Sequence, residues 1–544
     1  MKKLLLFSFL LISLTIFGQM KVVIVPKPVS LVMHSGNFNF SSTTNIVADK
    51  RSMHEAEMLN IYLKKSYGIN LPVKNKISTT ENGNFIIFKL LTNKERKDSY
   101  NLSVDSDKII ISSAGNEGLF YGMQTLLQLL PASKTEATSS MILIPQLLIK
   151  DYPRFQYRGM HLDVGRHFFD VDFVKKYIDY LAYFKYNTFH WHLTEDQGWR
   201  IQIKKYPLLT SVGGFRNGTI IGHAPGTGND SLHYGGFYTQ EQIKDVVKYA
   251  RDRFITIIPE IELPGHASAA IAAYPQLSCF PEESTKVSPR TPWAGSRDGK
   301  QVQQTWGVFE DIFCPSEYTF KFLENVLDEV MALFPSKYIH IGGDEAPKTN
   351  WKRSAFCQNL IKDKNLKDEH GLQSYFIQRI EKYINSKGRK IIGWDEILEG
   401  GLAQNATVMS WRGEEGGIAA AQQHHDVIMT PGNYVYFDHA QMKNSDSLTI
   451  GGYLPLDTVY NYEPVPKELN DSETHYILGA QANVWTEYMA NPQKVEYMIF
   501  PRMSALSEVL WSKKEDRNFS DFSSELTDLY KRYQLWDANY FKGN

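Results

Sequence analysis

From Asp151 onward the chain alternates short apolar strands with longer amphipathic stretches, and this alternation limits the available folds more than any other feature. Candidate strands are Tyr157–Val164, Asn187–Thr194, Ile255–Leu263, Lys337–Gly342, Lys390–Trp394, Thr407–Trp411, Val427–Thr430 and Tyr476–Trp485. Helical patterns separate most of them, among them Val171–Phe184, Gln240–Arg253, Tyr318–Leu333, Leu372–Lys387 and Val495–Leu510. Eight strands, most followed by a helix, predict an α/β fold of the (β/α)8 TIM-barrel type with inserted loops. A doubly wound open sheet would use fewer strands and carry a glycine-rich first turn, which this sequence lacks. The run Phe522–Trp536 predicts a helix that closes the barrel, with no space after it for an appended carbohydrate-binding module.

The barrel is expected over residues 151–544, and residues 20–150 read differently. Strand-like segments there are short and include Val22–Val25 before Pro26, Asn84–Leu91 and Lys108–Ser112. Two helical patterns lie among them: Met53–Lys65, with its apolar residues mostly along one stripe, and Gly118–Leu130, which should stop at Pro131. Strands and helices without strict alternation predict a small α+β domain preceding the barrel, with Ala132–Ser140 as a loop near its end.

Residues 1–19 read as a secretory signal: Lys2-Lys3, an apolar run Leu4–Phe17 too short to span a bilayer, then Gly18-Gln19. The mature protein is expected to be periplasmic or secreted, with no membrane span once the leader is removed. In an oxidising compartment Cys279 and Cys314 have the opportunity to pair across a loop, leaving Cys357 free, a choice that geometry decides. Three cysteines in 544 residues exclude a disulfide framework and a multi-cysteine zinc module. Lys and Arg number 59 against 60 Asp and Glu, so charge offers no argument for a nucleic-acid partner. Aromatics reach 13%, and rings that stack on sugars are one use for them.

A barrel of this kind places its active site at the C-terminal ends of the strands. Followed to their ends, the strands give Asp163 and Arg166; His190, His192, Glu195 and Asp196; Glu260, Glu262 and His266; and Asp344 and Glu345. The later strands add Trp394, Asp395 and Glu396, then Trp411 and Arg412, then Trp485 and Glu487. Tyr434, Tyr436 and Asp438 lie between the seventh and eighth. Asp344-Glu345 follows Gly342-Gly343, where the backbone can turn sharply, and two carboxyls forced close cannot both ionise easily. One of them should keep its proton and serve as a general acid, although Asp-Glu pairs also cap helices. His190 and His192 share one strand face and, with Glu195 or Asp196, offer metal-ligand types; no H-E-x-x-H spacing accompanies them, and buried strand histidines also serve as core hydrogen-bonders. His266, in the turn Pro264-Gly265-His266, is placed to orient a carboxylate. Trp394, Trp411 and Trp485 end three different strands, which suits the walls of a small apolar pocket.

Six ordered motifs carry a family resemblance. They are Arg158–Phe168, His190–Arg200, Pro259–His266, His340–Glu345, Gly393–Glu396 and Trp485-Thr486-Glu487. Pro26-Lys27-Pro28 and Gly118–Gly122 extend the likeness into the small domain. The chain resembles glycoside hydrolase family 20, the β-N-acetylhexosaminidases. The resemblance implies an exo-acting enzyme that releases terminal β-linked GlcNAc or GalNAc from glycans or chito-oligosaccharides, with no metal or organic cofactor. It implies a retaining reaction in which the substrate's own 2-acetamido oxygen is the nucleophile. Glu345 would be the acid and base, Asp344 would hold the acetamido N–H, and Tyr436 would donate to the acetamido oxygen. Trp394, Trp411 and Trp485 would enclose the acetamido methyl; Arg166, Asp438 and Glu487 would bind the sugar hydroxyls. His266 would tune Glu345 through a relay ending at an acidic residue. Many relatives carry Asp-Asp where this chain has Glu195-Asp196, so either residue is open as that partner. A binding protein on a degenerate barrel would lack the acid or the pocket, and a double-displacement glycosidase would use Glu260 or Glu262 as nucleophile.

Overall fold

The computed structural model describes residues 22–76, 83–92, 94–133, 141–291, 293, 297–444 and 448–543. The expected signal, residues 1–19, and most of the expected loop Ala132–Ser140 lie outside them.

The first unit is a seven-stranded mixed sheet, in spatial order Ser30–Phe40, Ile142–Asp151, Tyr100–Val104, Lys108–Ser113, Phe85–Leu90, Asn45–Ala48 and Val73–Lys74. Helices Met53–Tyr67 and Asn116–Leu129 pack against it, burying Leu59, Leu63, Leu119, Phe120 and Met123 with Ile86, Leu102, Ile109 and Ile111 of the sheet. The second helix ends one residue before the extended Leu130, as Pro131 requires. Val22–Val25 is not a strand. Val25 is buried, but the side-chain amide of Gln128 accepts its N–H and donates to its carbonyl, taking the place of a neighbouring strand. The 11-residue strand Ser30–Phe40 carries little sequence signal, because it is largely exposed and its register shifts between Met33 and Asn37.

The second unit is a closed barrel of eight parallel strands: Tyr157–Asp163, Thr188–His192, Thr256–Leu263, Tyr338–Gly342, Lys390–Trp394, Thr407–Ser410, Val427–Met429 and Ile477–Ala482. They are the eight expected from the sequence, trimmed by up to three residues at either end. The closing helix is Phe519–Leu535, where Arg532 donates to Leu130 O and Tyr67 Oη of the first unit. The two units also meet at Asp151, which is buried and accepts from Tyr100 Oη (2.6 Å), Trp511 Nε1 (2.9 Å) and Lys185 Nζ (3.2 Å). Cys279 and Cys314 are disulfide-bonded and close the loop after the third barrel strand; Cys357 is buried and free. No helix among the described residues is long and apolar enough to cross a membrane.

Candidate active site

The fourth barrel strand ends in two left-handed glycines, Gly342 (φ 65°) and Gly343 (φ 95°). A side chain on Gly342 would meet Glu262 Oε2 at 1.8 Å, so glycine is required for both conformation and space. The turn delivers Asp344 and Glu345 to the barrel mouth. His266 arrives from the neighbouring third strand, its Nε2 lying 3.5 Å from Glu345 Oε2 and 3.6 Å from Asp344 Oδ2. Behind it, His266 Nδ1 reaches Glu195 Oε1 at 2.8 Å and Asp196 Oδ2 at 3.2 Å. Both sequence candidates therefore touch the imidazole. Glu195 is the nearer and is also held by Arg166 at 3.0 Å, whereas the other oxygen of Asp196 accepts the Ser268 N–H.

These residues face a cavity of about 410 Å³ lined by Arg166, Glu195, Glu262, His266, Asp344 and Glu345 on one side. Trp394, Trp411, Tyr436, Asp438, Trp485 and Glu487 line the other. Every predicted site residue lies at the cavity except Asp196, which stands one layer behind. The rings form a continuous wall: Trp394 lies 5.8 Å from Trp485, and Tyr436 stacks on Trp411 at 6.2 Å between centroids. Tyr434 turns away and stacks on Tyr462. Two of the indoles are pinned by carboxylates, Trp394 Nε1 to Glu260 Oε1 and Trp411 Nε1 to Glu396 Oε2, each at 2.9 Å.

The pocket holds buried polar atoms without a hydrogen-bond partner: Asp344 Oδ1, Asp438 Oδ1, Glu487 Oε2 and Arg166 Nη1. Such atoms are costly to leave unmade, and here they converge on one space. The arrangement suits a ligand rich in hydroxyl and amide groups. Two adjacent acidic groups, Asp344 and Glu345, stand where they can meet positive charge developing on that ligand.

The acid pair divides as expected, but in the opposite sense. Burial raises the Asp344 carboxyl above its ordinary value, against the pull of His266 and with help from the charge of Glu345. Glu345 is held below its ordinary value by its hydrogen bond to His266. Between Glu345 and His266 a shared proton is therefore favoured on the imidazole. That imidazole is raised well above its usual value, because Glu195, Asp196 and Asp344 outweigh its burial. Tyr436 is driven well up by burial and remains a donor. Glu262, Glu260, His192 and Arg412 emerge as neighbours of the site, although their strand-end positions were already visible in the sequence.

The catalytic-domain model of glycosyl hydrolase family 20 matches residues 155–514, and the family's domain 2 matches residues 21–152. The chain belongs to glycosyl hydrolase family 20. Among its family-20 relatives, a beta-hexosaminidase of Porphyromonas gingivalis is 46% identical over 95% of this chain and 64% of its own length. A beta-hexosaminidase of Vibrio furnissii is 39% identical over 75% of this chain and 64% of its own. The chain thus spans a little under two thirds of these curated relatives. The solved family-20 exo beta-N-acetylglucosaminidase of Vibrio harveyi, in complex with N-acetylglucosamine, superposes with a TM-score of 0.82 at 33% identity, covering 95% of this chain and 78% of that one.

Proposed function

We propose that this family-20 chain is an exo-β-N-acetylhexosaminidase that removes terminal β-linked GlcNAc or GalNAc by a retaining, substrate-assisted reaction. One observation carries the reading. Asp344 and Glu345 both reach His266 at the edge of a pocket walled by Trp394, Trp411, Trp485 and Tyr436. In this reading Asp344, ionised, accepts the acetamido N–H, and Tyr436 donates to the acetamido oxygen. That oxygen attacks the anomeric carbon while Glu345 protonates the departing glycosidic oxygen. The bond to the leaving group breaks as the oxazolinium ring closes, and Asp344 stabilises the positive charge. Glu345 then takes a proton from the water that opens the ring. The tryptophans exclude other water from the intermediate. Arg166, Asp438 and Glu487 supply partners for the sugar hydroxyls.

The double-displacement alternative finds less support. Glu260 is fully buried and engaged by Trp394 and His192. Glu262 lines the pocket, but burial and the charges of Asp344 and Glu260 push it well above the usual carboxyl range, toward a neutral acid that is a poor nucleophile. Initial rates on aryl β-GlcNAc, β-GalNAc and β-glucose test the proposal. Activity on the first two and none on glucose is expected; comparable turnover of the glucoside would sink the substrate-assisted reading.

Export to a periplasmic or external compartment is proposed with it, supported by the leader-like start and by the Cys279–Cys314 bond. N-terminal sequencing of the exported protein checks this, with a cut near Gly18-Gln19 expected.

A further inference from the structure

Beneath the pocket floor the barrel interior holds, besides the apolar Ile258, Ile392, Met409 and Ile428, a group of buried ionisable side chains. Glu260, on the third strand, is completely buried; its Oε1 accepts the indole N–H of Trp394 and lies 2.8 Å from His340 Nδ1. Its Oε2 bonds His192 Nδ1 and lies 3.0 Å from His190 Nε2. Strand register explains the crowding, since Glu260 stands opposite His192 on one side and His340 on the other. The second nitrogen of His192, Nε2, bonds Glu195 Oε2 at 3.1 Å. The other oxygen of Glu195 is the one that faces His266. One unbroken path therefore runs Trp394–Glu260–His192–Glu195–His266–Glu345, from the pocket wall to the acid.

Proton counting gives the path a definite charge state. A carboxylate only accepts, and both ring nitrogens of His192 face carboxylate oxygens, so both must carry hydrogen. His190 differs: its Nδ1 takes an N–H from the Gln481 amide at 3.0 Å, which leaves one hydrogen on Nε2 and a neutral ring. The electrostatics agree. Burial carries His190 down to about 4, whereas at His192 the opposing effects of Glu260 and Glu195 overcome burial and lift it to about 10.

We propose that Glu260 and His192 are positioning residues for the reaction, a buried carboxylate–imidazolium pair that keeps Glu195 anionic behind His266 and anchors Trp394 at its other end. The inference rests on the reading of Glu345 as the acid. Other ionisable groups face the pair: Glu262 lies 3.9 Å from His192 Nδ1, Asp163 adds its field to His192, and Arg166 also holds Glu195. None of them bridges Trp394 to His192. Neutralising Glu260 removes one of the two anions that hold the His192 proton; without that cation the charge of Glu195 is less screened, and His266 keeps its proton to higher pH.

The test compares the intact protein with Glu260→Gln and Glu260→Asp, using an aryl β-GlcNAc substrate and with folding checked by circular dichroism. Glu260→Gln is expected to lower kcat about tenfold or more and to move the alkaline limb of kcat/KM up by about half a pH unit or more. Glu260→Asp, which keeps the charge, should restore the limb. The double variant with Glu195→Gln should be within about twofold of Glu195→Gln alone, because both act through one path. A folded Glu260→Gln with an unmoved limb, or losses that multiply in the double variant, would overturn the proposal. Should no variant fold, joint neutron and X-ray diffraction of the unaltered protein decides it: deuterium on both His192 nitrogens supports the pair, and a neutral ring overturns it. An unaltered protein inactive on the β-GlcNAc substrate would sink the functional reading instead; normal activity with an unmoved limb sinks this inference alone.

Discussion

His266 and Glu345 meet with their backbones both left-handed, at φ 49° and φ 40°, and with His266 Nε2 3.5 Å from Glu345 Oε2. A non-glycine residue pays roughly 1–2 kcal/mol for that conformation. Two such residues in direct contact at a barrel mouth mark a place where packing holds the chain against its local preference, a common property of functional sites. Each follows a strand-end turn containing glycine, so the two turns set their separation.

Replacing Glu345 with Gln keeps the shape and removes the proton. Glycosides with poor leaving groups should then lose roughly 10²–10⁴-fold in kcat/KM, the usual worth of a general acid. An aryl glycoside of an acidic phenol, which needs little protonation, should lose much less. A series of leaving groups measures this, and equal losses across the series would exclude Glu345 as the acid.

The pH dependence has a defined sign on each side. In the proposed reaction Asp344 must be ionised to hold the acetamido N–H, and burial raises it above its ordinary 3.8, so activity should rise with pH through a limb above that value. The proton held between His266 and Glu345 must be present, and His266 is raised well above its ordinary 6.5, mainly by Glu195 against its own burial. Activity should therefore fall again only at a pH above 6.5. The kcat/KM profile of the free enzyme reads both limbs. Asp344→Asn should abolish the acid limb, and an alkaline limb at or below 6.5 would contradict the assignment.

The disulfide joins Cys279 to Cys314, 35 positions apart in the chain. Cys279→Ser with Cys314→Ser should cost about 2–4 kcal/mol of stability, chiefly by freeing the unfolded chain. Denaturant unfolding measures the loss. Thiol counting on the unfolded, unreduced protein should find one reactive cysteine, Cys357; three would show the bond absent.

Asp151→Ala should strip a buried lysine, Lys185, of its carboxylate partner at the junction of the two units. The expected cost is about 3–5 kcal/mol, typical of breaking a buried pair from one side. Asp151 lies just before the first barrel strand, at the end of the barrel opposite the catalytic mouth, so turnover per folded molecule should not change. A shift in the unfolding midpoint with unaltered kcat is the outcome to look for.

Much of this protein is legible without coordinates. Short apolar runs alternating with longer amphipathic ones specify the eight barrel strands, because strands buried on both faces read as near-continuous apolar segments. The catalytic rim follows from the same rule, since polar residues at the ends of buried strands have few other reasons to be there. What the pattern misses has physical causes. Val22–Val25 is apolar and short like a strand, yet a distant glutamine side chain satisfies its backbone. Ser30–Phe40 is a strand whose largely exposed residues need no alternation.

Residue pattern alone specifies the barrel and the polar residues on its rim, and it suggests a chemistry for Asp344 and Glu345. It left undecided whether Glu195 or Asp196 serves His266, which carboxyl of the acid pair keeps a proton, and whether Cys279 reaches Cys314. Only the tertiary structure decides these, because each depends on distances of a few ångströms between residues far apart in the chain. His266 stands 71 residues from Glu195, and Glu260 lies 134 residues from the Trp394 it holds. Proton positions follow from such contacts: burial and neighbouring charges, not residue type, decide that His192 is charged while His190, two residues away on the same strand, is neutral.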